Sequence, residues 1–267
     1  MSICAKSGLK DKDRVYVIAV DQYDTTMRGG VLYRTDKPEG IPFSDYPGMI
    51  RGLEQRFEQL NYPRANMRRR VFGDGVENRW LSAADEERMA PETAPAGEIQ
   101  RQRGSLLTFQ LRVTHREHAS WQGTLVCLEE GGQESFSSFQ ELVFLMDGFL
   151  GRELSVREKV RMDQGKLWDG MTDQDRFEKA LSIVMECPEQ LKILPDTLVY
   201  RYTRGTHRMT FLIRPVFYAH NTCQGLVFWK ERRQERSFRS LLELVGLLCD
   251  AVYDDTVWEM DELEAAK

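Results

Sequence analysis

Hydrophobic positions along this chain change period in a repeated order. From Phe109 the apolar residues alternate, with Phe109, Leu111 and Val113 on one face and Gln110, Arg112, Thr114 and Arg116 on the other. That period of two is expected of a half-buried antiparallel strand. A tight connection around His118–Ser120 leads to a second β-rich run, Trp121–Glu129, which ends at the Gly131-Gly132 turn. From Ser135 the period becomes helical, and Phe139, Leu142, Val143, Leu145, Met146 and Phe149 make a wide apolar stripe. Ser135 or Ser137 is the expected N-cap and Gly151 the expected stop. Gly123, inside a strand pattern, marks a bulge or a close backbone approach.

The order recurs without a gap when Phe109 is placed over Phe211. Arg112 then meets Arg214, His118 meets His220, Gln122-Gly123 meets Gln224-Gly225, Ser135-Phe136 meets Ser237-Phe238, and Glu141-Leu142 meets Glu243-Leu244. A weaker copy starts at Tyr16, with Gly30 and Phe43 at the same spacings and Tyr46, Met49, Ile50 and Leu53 on the helical positions. Repeated units of this kind bury a shared core by lying side by side. The expectation is an α+β fold of three ββα repeat units. They form antiparallel sheet, with helices near residues 45–60, 136–150 and 238–252 packed on one face.

The connectors divide the chain further. Residues 1–81 hold the first unit and an extra strand near Arg64–Phe72, and residues 82–100 form an acidic, proline-containing linker. Residues 101–267 hold the second and third units, a helical insertion at 152–194 and an acidic tail after Asp250. Within the insertion Thr172 is the expected N-cap of a helix that Pro188 ends, and Pro195–Tyr202 resembles the extra strand.

Composition narrows the class. The chain has 267 residues, 41% of them hydrophobic and 30% charged, which suits a folded protein of one large domain or two to three small ones. No run approaches the length of a membrane span, and Met1–Asp13 lacks the apolar region of a secretory signal. Five cysteines without a C-x-x-C predict a reducing, cytoplasmic setting. A net charge of −5 selects neither an acidic nor a basic partner.

Catalytic signatures are missing. There is no H-E-x-x-H, G-x-S-x-G, P-loop or G-x-G-x-x-G, His115 and His118 fall on opposite faces of a continued strand, and no cysteine has a partner at zinc-finger spacing. Cys127, Cys223 and Cys249 sit in apolar patterns, and Cys187 is the expected exposed thiol. No cofactor and no metal are expected.

Basic clusters are the stronger lead. Arg64, Arg68, Arg69 and Arg70 occur without an acid among them. Residues 201–239 hold nine basic side chains, Arg201 and Arg204 included, against Glu231 and Glu235, interleaved with aromatics. The leading expectation is a non-enzymatic binding protein that docks on a protein or ribonucleoprotein partner. Its contact surface would be Arg112, Arg116, Arg214 and Tyr218 on the open sheet face, extended by Arg232, Arg233 and Arg236. The alternative is direct nucleic-acid binding through Arg64, Arg68, Arg69, Arg70, Arg201 and Arg204. An open face also suits a homodimer, and the basic clusters are equally placed to neutralise the acidic tail or linker in cis.

Two resemblances add to this. Arg64-x-x-x-Arg68 with His118-x-Ser120-x-x-Gly123 resembles the PilZ pattern, which implies a cyclic-dinucleotide receptor. His118 departs from its Asp or Asn, and the two halves lie far apart. Ala119-Ser120-Trp121-Gln122-Gly123, followed by Phe136-x-Ser138-x-x-Glu141-Leu142 and Leu145-Met146-Asp147, resembles a family of uncharacterised bacterial proteins with this strand–turn–strand–helix unit. The resemblance implies a bacterial, cytosolic origin and no established activity; the binding-protein reading would place the chain in a bacterial regulatory or defence system.

Overall fold

The computed structural model describes residues 15–24, 26–73, 94–158, 170–185, 191–194, 196–204 and 207–253. Cys4, Cys187, the acidic part of the linker and the tail beyond residue 253 lie outside them. The fold is α+β, with two antiparallel sheets and five helices among the described residues.

The first unit is β1 (Tyr16–Tyr23), β2 (Met27–Arg34), β3 (Lys37–Phe43) and α1 (Tyr46–Leu60). A single-turn helix α2 (Ala96–Ile99) precedes the second unit, β4 (Leu107–His115), β5 (Gln122–Cys127), β6 (Gln133–Phe136) and α3 (Phe139–Glu158). Helix α4 (Asp173–Met185) and the hairpin β7 (Leu191–Leu194) and β8 (Thr197–Arg204) follow. The third unit is β9 (His207–Ala219), β10 (Thr222–Trp229), β11 (Gln234–Phe238) and α5 (Leu241–Tyr253).

Each unit therefore has three strands before its helix, not two. The third strand was hidden because only its last residue is buried: Gln133, Glu134 and Ser135 are exposed and Phe136 is not. Nor do the units lie side by side in one sheet. The first two share a six-stranded sheet, ordered β3-β2-β1-β4-β5-β6, in which β1 pairs with β4 from the other side of the 82–100 segment. The third unit belongs to a five-stranded sheet, β11-β10-β9-β8-β7. Residues 191–194 of the expected helical insertion are strand, and the expected strand at 64–72 is reduced to one parallel bridge between Ala65 and Arg116.

The registers match across the units. Gly30 faces Phe43, Gly123 faces Phe136, and Gly225 faces Phe238. A side chain at Gly123 or Gly225 would collide with the backbone carbonyl of Arg112 or Arg214 on the neighbouring strand. A register shift follows at that level of β4–β5 and β9–β10. Only glycine lets the strands approach so closely. β1 and β8 play the same part: Tyr16 pairs with Leu111 and Ile18 with Phe109, as Leu198 pairs with Ile213 and Tyr200 with Phe211.

Helix starts repeat as well. Asp45 Oδ1 accepts the Gly48 N–H at 2.6 Å, and the Ser138 and Ser240 hydroxyl oxygens accept those of Glu141 and Glu243 at 3.0 Å each. The cap of α3 is thus Ser138 rather than Ser135 or Ser137, and the helix runs past Gly151 to Glu158. Such caps satisfy amides that the helix itself leaves open. Behind them Met49, Leu142 and Leu244 are fully buried, and both sheets and α1, α3, α4 and α5 contribute to one continuous apolar core.

The crowded glycines and the open one give opposite expectations. Gly225→Ala should lose about 1–3 kcal/mol, because the added methyl group has backbone in its way. Gly148→Ala, in α3 with open space around it, should gain up to about 1 kcal/mol. Chemical denaturation of both variants checks the pair.

Candidate functional site

The site is built where the second and third units meet. Each has a two-residue turn with positive φ, His118-Ala119 and His220-Asn221, between its first two strands. Positive φ at both central residues matches the twist of a tight hairpin. The two imidazoles stack at 3.6 Å with their planes 5° apart. Around them the contacts are reciprocal. Ser138 Oγ donates to the Asn221 carbonyl at 2.6 Å, and Ser240 Oγ donates to the Ala119 carbonyl at 2.5 Å. Ser120 Oγ accepts the Phe139 N–H, and Thr222 Oγ1 accepts that of Leu241.

Beside this seam is a cleft of about 530 Å³. Its walls come from Glu54 and Glu58 of α1, the segment 61–69, Arg116, residues 119–121, and Leu242 and Glu243 at the start of α5. Arg116 is only 9% exposed, and its Nη2 pairs with Glu54 and, at 2.6 Å, with Glu58. Trp121 Nε1 also donates to Glu54, at 2.5 Å. Burial works against the Arg116 charge, but the two carboxylates outweigh it and raise its pKa above the usual value. Glu243 is buried, accepts the Arg239 N–H at 2.8 Å and the Arg70 N–H at 3.2 Å, and pairs with the Arg239 guanidinium. Every carboxylate in the cleft is thus held by arginine.

The expected contact residues are dispersed. Arg112 is half-buried in β4 and Arg214 exposed in β9, so these equivalents belong to different sheets. Arg116 does not stand on an open sheet face. The register shift between Val113 and His115 reverses the alternation and turns it inward. The corresponding shift at Gly225 turns Tyr218 against the core, where burial raises its phenol pKa. Arg232 lies over the Trp229 ring, Arg233 is exposed in a turn at φ +51°, and Arg236 Nε donates to the Val71 carbonyl at 2.9 Å.

The other basic cluster splits. Arg64 and Arg68 are exposed at the cleft rim and ion-pair with none of the described residues. Arg69 pairs with Asp250 at 2.9 Å, and Arg70 Nη1 donates to the Ser237 carbonyl at 3.0 Å. Two of the four arginines thus fasten their segment to the third unit. Arg201 is exposed on β8, and the Arg204 side chain lies outside the described residues.

Glu54, Glu58 and Trp121 were not among the expected site residues. Glu54 and Glu58 lie one helical turn apart on α1, a spacing that marks a shared face but not its partner. Glu243 was visible as the equivalent of Glu141, each following a capping serine by three residues, the pattern of a capping box.

Other chemistries find little footing. Burial pushes the Cys223 thiol up to about 12 and raises Cys127 and Cys249 too, which keeps all three protonated at neutral pH. Among the described residues no group of three or more His, Cys, Asp or Glu is placed to hold a metal, and no helix is long and apolar enough to cross a membrane. A second buried cluster lies away from the cleft, where the Tyr23 hydroxyl donates to Asp147 Oδ1 at 2.5 Å. No family model, curated protein or solved structure matches the chain.

Arg116→Ala would leave Glu54 and Glu58 without their cation and should cost about 3–5 kcal/mol. Adding Glu54→Gln and Glu58→Gln should recover part of that loss in urea melts. Burial raises the Asp147 pKa, so its favourable contribution is complete below the unfolded value near 3.9 and is lost as pH rises through the folded one. Asp147→Asn should therefore melt higher than the parent at pH 7, with the difference vanishing below about pH 4.

Proposed function

We propose that this chain is a non-enzymatic binding protein that docks on a protein partner. It takes an acidic, partly apolar segment of that partner into the cleft beside the seam. The observation that carries this reading is the division of charge. The interior carboxylates Glu54, Glu58 and Glu243 are held by arginines, whereas Arg64 and Arg68 at the rim have no ion pair among the described residues. The oxygens of these carboxylates are already engaged by arginine and, on Glu54, by Trp121, which leaves them poorly placed to take a proton from a substrate. The two rim guanidinium groups, beside Met67, Trp121 and Leu242, offer a carboxylate a bidentate partner and its neighbour an apolar wall.

The size supports a few side chains of a peptide, since ligand pockets commonly measure about 300–1,000 Å³. A nucleic-acid strand is less well served. Phosphate binding gains from each cation it meets, and among the described residues of the cleft the two rim arginines lack an ion pair while three carboxylates stand behind them.

A photo-crosslinking amino acid in place of Met67, which is 39% exposed, tests the reading in native host cells. The expected product is an adduct with one protein, joined through an acidic segment. Arg64→Glu with Arg68→Glu should weaken that binding at least about tenfold without moving the melting temperature. Adducts with nucleic acid, or protein adducts indifferent to the charge reversal, would overturn it.

A further inference from the structure

The second and third units are alike in register but not in what lies beside them. In the second, Glu117 and Ser120 close the turn through the Ser120 N–H to the Glu117 carbonyl, at 2.9 Å. Antiparallel pairing alternates, so the peptide groups of the preceding residue, Arg116, point away from β5. They do not remain open: the Asn66 N–H donates to the Arg116 carbonyl at 3.1 Å, and Ala65 bridges it in parallel. In the third unit Ala219 and Thr222 form the closing pair and Tyr218 holds the position of Arg116. None of the described residues donates to its carbonyl from outside the sheet. β8 pairs no further than Leu198 with Ile213, just as β1 pairs no further than Tyr16 with Leu111.

This edge, uncovered by any of the described residues, is also apolar. Among the described residues four large hydrophobic side chains are exposed, and three lie at this end of the five-stranded sheet: Val216 at 58%, Phe217 at 56% and Leu194 at 44%. An unpaired strand edge with apolar side chains is costly to leave bare, since it templates pairing with another chain.

We propose that the β9 edge at Arg214–Ala219 is a second docking surface, which takes an extended segment of a protein partner by strand addition. The segment runs parallel to β9, donates a backbone N–H to the Tyr218 carbonyl and lays an apolar side chain on Val216 and Phe217. Residues Pro63–Asn66 show the form of the occupant, because they fill the equivalent edge of the second unit. Arg214 supplies the charge selection. It is exposed, has no ion pair among the described residues, and favours a carboxylate on the incoming segment. This surface is separate from the cleft, so the two readings stand or fall independently.

The probe is a heptapeptide with the sequence of residues 61–67, in which aspartate replaces the first asparagine. In the parallel register of Ala65 on Arg116, that aspartate comes level with Arg214. Amide shifts of the full-length ¹⁵N-labelled chain are followed as peptide is added to concentrations on the order of 1 mM. Saturable shifts at the amides of Arg214 and residues 216–219 are expected. They should disappear in the Val216→Lys, Phe217→Glu double variant with the melting temperature unchanged, and Arg214→Glu should weaken binding several-fold. The unmodified sequence, with asparagine first, should bind more weakly than the aspartate form. Absence of saturable shifts overturns the proposal. So do shifts of the same amides when the protein alone is concentrated, which would make the occupant a second copy of this chain.

Discussion

Two serine hydroxyls hold the second and third units together, and the placement of the cleft depends on them. Ser138 and Ser240 each cap their own helix and also donate to the turn of the other unit. The exchange is reciprocal, as in an isologous contact between two copies of one surface, but here both copies belong to one chain. A hydroxyl both donates and accepts, so serine can do both jobs at once. The consequence is positional. The Ala119–Trp121 wall of the cleft and its Leu242–Glu243 wall come from different units, and the serine contacts set one against the other.

Charge inside the cleft follows a different logic. Arg116 and Glu54 are withdrawn from water and Glu58 half-buried beside them, which is costly unless each finds its counter-charge and hydrogen bonds. The three do so together, with Trp121 filling a further acceptor site on Glu54. A network satisfied in this way gives the wall a fixed shape and leaves chemistry to the rim. Arg69 and Arg70 are likewise engaged with Asp250, Glu243 and Ser237, which fastens the 64–70 segment along α5 and presents Arg64 and Arg68 outward.

Units with matching strand register thus end in unequal surroundings. The edge of β4 near Arg116 is covered by Ala65 and Asn66, while none of the described residues covers its counterpart on β9. The difference comes from the connectors. After α1 the chain passes back along Arg116, whereas the third unit is entered through the β7–β8 hairpin, which stops short of Tyr218.

Much of the local structure was legible in the residues themselves. The spacing from Gly123 to Phe136 and from Gly225 to Phe238 carried the strand register, because a close backbone approach and the ring opposite it tolerate few other residues. The helical stripes behind Ser138 and Ser240 were equally plain, since their apolar positions recur at the helical period and all face one core. The inward turn of Arg116 was not legible. Strict alternation puts Arg112 and Arg116 on one face, and a single extra residue in the strand reverses the outcome for the second alone. Nor did any local pattern say that the first two units would share a sheet while the third joined β7 and β8. An apolar strand edge can pair with many others, and the choice rests on contacts between residues far apart in the chain, which only the packed core decides.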